Sequence, residues 1–388
     1  MGPAGVQGFM YPNEVELQWS VLIVLYPYIT GLVAGAFILA SLSRIFNIAA
    51  VKPIYRLSLL TALAFLLVAP LPLQLHLGHP ERSFEMYLTP HKTSAMAMFG
   101  FVYLWYLLVV LLTEIWLDYR GDIVRLAQTH RGPMKWIYAA LTLGSYHVSA
   151  ASRRIDDRVG WAVTLIGIPS AFLLHGYVGF IFGAVKANPW WSTPLMPIVF
   201  LFSAMVSGIA AVLVVYQATT RIRKKEADML CLDTVAKYLF YVFLIDFSLE
   251  MLDLVHRMYE SNESFRALDF MVHTRLYFSQ IVVQIYLGTL LPIGMLAVTQ
   301  VVKLRAPIRR VLYTTAAGLT LIGILAMRWN VVIGGQLFSK SFLGYTTYKM
   351  AFATREGLLP TIALMILPFP ILWALLKLLP PWGEQKAT

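Results

Sequence analysis

Cysteine is almost missing from this chain: Cys231 is the only one in 388 residues. One thiol cannot close a disulfide within the chain. An iron–sulfur cluster takes about four thiolates, so no such cluster is expected to be bound by this chain alone. Charge is scarce as well. Asp, Glu, Lys and Arg make up 13% of the residues, about half of the ~25% usual in soluble domains. That deficit excludes a water-soluble domain. The hydrophobic share of 59% and mean hydropathy of +0.68 exclude a disordered, collagen-like or coiled-coil chain. Residues 1–13 lack a basic stretch followed by an apolar one, so no cleavable signal peptide is expected and the first hydrophobic run directs insertion. There is no Gly-rich phosphate loop, no metal-ligand cluster, no hydrolase constellation and no internal repeat.

What the chain does have is long apolar runs. Nine are long enough to cross about 30 Å of hydrocarbon at about 1.5 Å per residue. They fall near 17–44, 57–77, 94–118, 159–185, 194–219, 233–257, 275–301, 310–328 and 358–379. An all-α, polytopic transmembrane bundle is expected, with residues 1–388 forming a single integral membrane domain. Pro70 and Pro72 interrupt the second run, and Pro27, Pro169 and Pro292 are placed to kink others. G-L-V-A-G in the first run (Gly31 to Gly35) is a small-residue packing stripe.

The net charge of +11 is concentrated in alternate loops, so membrane topology accounts for it better than binding of nucleic acid or anionic lipid. Residues 119–158 carry Arg120, Arg125, Arg131, Lys135, Arg153, Arg154 and Arg158; Arg221, Arg223, Lys224 and Lys225 follow, then Lys303, Arg305, Arg309 and Arg310. The positive-inside rule places the N-terminus outside and the C-terminus in the cytoplasm. Trp190, Trp191, Trp329 and Trp382 are expected at the membrane interfaces. Residues 133–150 are placed to lie on the membrane surface. Residues 329–357 are too apolar for a solvated loop. They are read either as packing over the bundle or a partner, or as a re-entrant or surface loop.

A charge at bilayer depth costs a few kcal/mol, so each one is a candidate functional residue. The sixth run carries Asp246, Glu250, Asp253 and His256 at spacings of four, three and three, along one helical face. Two readings stand: a proton-conducting stripe, or a buried ion-pair network that fixes packing. H-G-Y-V-G in the fourth run places His175, able to exchange a proton, beside Tyr177, able to donate to a carbonyl. Gly176 and Gly179 would admit a helix or a ligand. Gln74 and His76 close the second run, and Tyr26 and Tyr28 lie in the outer half of the first. Arg328, Arg275, Gln280 and Gln284 add to the same outer half. On the inner side Glu114 is read either as the start of a cytoplasmic proton route or as an interfacial carboxylate near Arg120. A haem between helices requires axial histidines at matched depth; no run holds two, and a haem on His76 and His175 has no further support in the sequence.

These motifs, in this order, resemble the NrfD/PsrC family of integral membrane subunits. The resemblance is carried by G-x-x-x-G-A-F in the first run and L-H-L-G-H-P-E-R at the end of the second. It continues through H-G-Y-V-G followed by N-P-W-W, the Ser207–Gly208 pair of the fifth run, the acidic sixth run and R-W-N-V-V-I-G-G-Q. It extends over nearly the whole chain and fits best the longer branch that includes HybB, DsrP and the QrcD-like subunits of quinone reductase complexes. The resemblance implies a quinone-reactive membrane subunit of a respiratory oxidoreductase in the bacterial inner membrane. It implies menaquinone or another quinone as ligand and no haem or cluster of its own. The implied partners are a periplasmic four-cluster iron–sulfur protein and molybdopterin-type or multihaem subunits. By resemblance His175 and Tyr177 line the quinone pocket, with His76, Gln74 and Tyr28 beside them. His76 stands where relatives carry Asp, and Asp253, Glu250, Asp246 and Glu114 take proton-transfer roles. Two other classes are carried forward: a proton-coupled secondary transporter, disfavoured by the missing repeat, and a purely structural anchor.

Overall fold

The computed structural model describes residues 6–382 apart from Lys92, Ser261 and Asn262; the side chains of residues 95–97 and 263 are not described. Residues 1–5 of the amino-terminal stretch lie outside the described residues. Helices dominate, as expected from chains whose backbone polar groups must be satisfied internally in lipid. Among the described residues, eight are long and apolar enough to cross a membrane: Val21–Arg44, Ala49–His76, Met98–Thr129, Ala150–Gly183, Met196–Ile222, Tyr277–Val301, Ala306–Gln336 and Leu358–Leu378. Another long helix, Met229–Glu260 (32 residues), falls between the fifth and the next of these. Its Asp233, Lys237, Asp246, Glu250 and Asp253 keep it from reading as uniformly apolar, yet its length suffices to span. The nine are numbered here as spans one to nine in chain order, Met229–Glu260 being the sixth.

Proline and glycine shape these spans in different ways. The second breaks after Val68 and restarts as Leu71–His76, with Pro72 in the new first turn, where a missing N–H costs nothing. Pro27 and Pro169 stay inside continuous helices. Pro292 stands where the seventh span changes from π-helical (Tyr277–Leu290) to α-helical (Leu291–Val301). At Gly35 a Cβ would strike the Ala204 carbonyl and the Gly208 backbone of the fifth span. The small-residue stripe of the first span is therefore a close helix contact. Gly288 and Gly323 meet in the same way between the seventh and eighth spans.

The first span sits at the centre and is buried along almost its whole length. The seventh and ninth are mostly exposed, on the periphery. One end of the bundle is tied by basic residues. Arg56 pairs with Asp118 (2.6 Å) and Asp122 (2.8 Å), Arg120 with Asp156 (2.6 Å), and Arg309 with Asp233. The Arg223 guanidinium lies 3.7 Å from the Trp382 ring centroid.

The opposite end carries a cap. Strand Gln7–Gly8 pairs antiparallel with Gly344–Tyr345. Glu14 accepts from Ser339 Oγ (2.5 Å) and the Lys340 amide (3.1 Å), Gln336 clasps both backbone groups of Trp19 (2.9 and 3.2 Å), and His76 Nδ1 meets Glu356 Oε2 at 2.8 Å. The apolar stretch after the eighth span thus packs over the bundle. Of the tryptophans expected at interfaces, Trp191 is instead buried, stacked on Trp19 at 5.2 Å, because its indole N–H is taken up by the Val331 carbonyl (2.6 Å).

Candidate functional site

The sixth span brings Glu250 and Asp253 to one cavity of about 410 Å³ near the capped end. Its walls come from the sixth span, the helix Glu263–His273, the seventh span, the eighth through Met327, Asn330 and Val331, and the start of the fifth through Met196 and Val199. The volume falls in the range of about 300–1,000 Å³ typical of ligand pockets. The lining is mostly apolar, with a few convergent polar groups.

Those polar groups form two sets. In the first, Ser279 Oγ donates to Asn330 Oδ1 (2.6 Å), Asn330 Nδ2 donates to Gln284 Oε1 (2.8 Å), and Gln284 Nε2 donates to Glu250 Oε2 (3.3 Å). This chain orients every amide, so Glu250 receives a donor rather than a competing carbonyl. In the second, Asp253 accepts from Thr193 Oγ1 (2.6 Å) and from Arg257 Nε (2.8 Å). Arg257 also holds the carbonyls of Pro189 and Trp190. Gln280, on the same π-helical segment as Gln284, leaves its buried Oε1 without a partner among the described residues. π-helical turns recur at functional sites because they re-aim side chains.

One turn below Glu250, Asp246 is fully buried and its Oδ1 has no partner among the described residues. The positive charge near it belongs to Arg328, which is also fully buried. Arg328 Nη2 meets Ser203 Oγ (2.6 Å) and His175 Nε2 (3.1 Å), and the guanidinium lies 4.0 Å from the Phe200 ring centroid. Since a guanidinium only donates, His175 Nε2 is the acceptor and the ring proton sits on Nδ1. That proton points to Thr30 Oγ1 (3.1 Å), whose own hydroxyl donates to the Tyr26 carbonyl. His175 is therefore sealed, with both nitrogens engaged.

The residues assigned to quinone by resemblance divide. His76 and Tyr177 share a void of about 30 Å³ with Tyr26, Phe99 and Met86, roughly the liquid volume of one water. The hydroxyls of Tyr26 and Tyr177 are buried there without partners among the described residues. Gln74 is half-buried, and burial raises the pKa of the Tyr87 hydroxyl near it. Tyr28 is buried in the first span. Gly179 admits the backbone of Met196 and Pro197, while nothing lies within 4 Å of a Cβ at Gly176. His256 faces outward beside Glu260 (3.8 Å) and leaves the acidic stripe for a polar hollow above the cavity.

At the end tied by basic residues, Glu114 is fully buried and accepts from the Tyr55 hydroxyl (3.0 Å). Arg44 reaches the same tyrosine (2.6 Å). Arg120 is not its neighbour: it is spent on Asp156, Ser145, Ser152 and the His147 carbonyl. Sequence reasoning named Glu250, Asp253, Gln280, Gln284 and Arg328 but missed Asn330, Thr193 and Ser279. Asn330 lies inside the R-W-N motif, and an amide within an apolar run was the available signal.

Comparison with known proteins decides the family. The model of the family "Polysulphide reductase, NrfD" matches residues 11–340. The chain belongs to this family. The expected NrfD/PsrC resemblance is thereby borne out, as is the multi-pass membrane location. A selenate reductase subunit of Mesobacillus selenatarsenatis is 29% identical over 386 residues, 95% of this chain and 87% of that protein. Protein NrfD of Escherichia coli is 28% identical over 204 residues, 51% of this chain and 59% of that protein.

Proposed function

We propose that this NrfD-family protein is the quinone-reactive membrane subunit of a reductase complex, with the quinone ring seated in the 410 Å³ cavity beside Glu250 and Asp253. The observation that carries this reading is the contrast of the two hollows. One has the volume of a ligand site and both carboxylates; the other holds about one water. Similarity to a selenate reductase subunit supports membership of a complex, in which a four-cluster iron–sulfur partner at the capped end would exchange electrons with the site. Family membership favours this over a secondary transporter.

A quinone, when bound, supplies two-electron, two-proton chemistry, menaquinone being the form the resemblance favours. The chain's own residues supply the rest. Glu250 takes or returns a proton at Oε2, which Gln284 aims. Gln284 is itself held by Asn330, so the donor stays in place as the charge on Glu250 changes. Asp253 stays anchored by Thr193 and Arg257 at the outer wall, where a released proton meets the hollow lined by His256 and Glu260. Asp246 continues the stripe one turn deeper, opposite Arg328. Among the described residues Glu114 shares no hydrogen bond with this stripe. It belongs to a separate inner cluster with Tyr55, placed to exchange protons with the cytoplasmic side.

The test is quinol-linked turnover of the complex in native membranes. Glu250→Gln is expected to lower it about 100-fold or more, the range for loss of a general acid–base group, with assembly intact. Tyr177→Phe is expected to stay within about threefold. The opposite pattern would move the ring to the small void and sink the assignment.

A further inference from the structure

We propose that the start of the fourth span is a binding site for an anionic phospholipid, its headgroup held by Arg154 and Arg158 and its acyl chains lying along Trp161 and Leu165. The site is separate from the quinone cavity and does not depend on the reading given to it.

Length places the arginines. Ala150–Gly183 has 34 residues, so it is about 51 Å long at about 1.5 Å per residue. The hydrocarbon takes about 30 Å of that. Centred in the bilayer, the helix projects about 10 Å, or about seven residues, into the headgroup layer at each end. Arg154 falls inside that layer. Arg158 falls at its inner edge, with a side chain long enough to reach back.

Helical geometry places them on one face. At about 100° per residue, Arg154, Arg158, Trp161 and Leu165 lie within about 60° of one another. All four are exposed, Trp161 at 47%. Farther along the helix exposed apolar side chains continue at Leu173 and Phe180, turned about 80–100° from Arg154. Asp157 lies three residues after Arg154 on the adjoining face, yet among the described residues neither arginine makes an ion pair with it. Two like charges at i and i+4 repel each other, so an anion bound between them would be stabilised.

A second element marks the interface at the same level. The helix Pro133–Leu141 exposes Trp136 (76%) and Ile137 beside Lys135, the composition of a helix lying in the membrane plane. The loop after it is fastened to the fourth span's first turns, since Arg120 binds Ser145, the His147 carbonyl, Ser152 and Asp156 together. Cation, interfacial indole and lipid-facing stripe therefore meet at one depth. Charge complementarity and the apolar continuation select an anionic glycerophospholipid rather than a free anion.

The experiment is native mass spectrometry of the detergent-solubilised protein, with its native partners, after addition of phosphatidylglycerol or phosphatidylcholine. Wild type is expected to retain phosphatidylglycerol preferentially. Arg154→Gln with Arg158→Gln should weaken retention about thirtyfold, the product of two near-surface charges, and the double Lys variant should keep most of it. Arg221→Gln with Lys225→Gln serves as control: this pair is equally basic, at the same end, above the largely buried fifth span. It should change retention less than twofold, roughly within experimental scatter. Equal retention of the two lipids by wild type would overturn the proposal without any variant. So would a control that loses as much as the arginine pair, or displacement of the lipid by inorganic phosphate.

Discussion

Arg328 is a buried cation whose neighbours belong to three other spans: His175 on the fourth, Phe200 and Ser203 on the fifth, Asp246 on the sixth. Removing one member of a buried charged set leaves the others uncompensated, at a cost of about 3–5 kcal/mol. Arg328→Leu is therefore expected to lower thermal stability in detergent by that order, and Arg328→Lys by less. His175→Ala removes the acceptor facing the guanidinium and the donor to Thr30. It should reduce both quinol turnover and melting temperature, whereas Glu250→Gln should reduce turnover alone. A His175→Ala protein with full stability and no turnover would return His175 to direct contact with the ring. From sequence, His175 and Arg328 were both visible as polar residues at depth. Their pairing was not, since 153 positions separate them and no spacing rule connects two distant helices.

At the scale of the element, the close contact of the first and fifth spans rests on Gly35 and Gly208, where a side chain has no room. Gly35→Val should abolish accumulation of the folded protein in membranes. Gly176→Ala, with no atom within 4 Å of the added methyl, should be neutral or stabilise by up to about 1 kcal/mol, the difference in helix propensity. Fluorescence-detected size-exclusion of the two variants separates these outcomes. The small-residue stripe was legible because G-x-x-x-G is a local pattern. The sixth span was legible as a helix from its length and spacing. Its Glu250, Asp253 and Arg257 line a cavity that four other elements complete, and those elements could not be read from its own sequence.

At the scale of the whole molecule, the basic loops collect at one end and the strand-paired cap at the other. If the positive-inside rule holds, the capped end faces outward. Cys231 is buried, so wild type should react little with a membrane-impermeant maleimide. Ser341→Cys in the cap should label in intact cells, and Arg153→Cys only after permeabilisation. Labelling in the reverse order would invert the topology and move the proposed iron–sulfur partner to the cytoplasmic side.

Composition and local order were enough to determine a multi-pass helical bundle, its approximate spans, its family and the acidic stripe of the sixth helix. These follow from what a bilayer demands of each segment separately: length, apolarity and the position of Lys and Arg. Which polar residues share a space was decided only by the tertiary structure. It joined Glu250 to Gln284 and Asn330, closed His175 against Arg328, and left Tyr177 and His76 around a void of one water. The reason is physical. Hydropathy acts on each helix alone, whereas a cavity is the volume left over when several helices have packed.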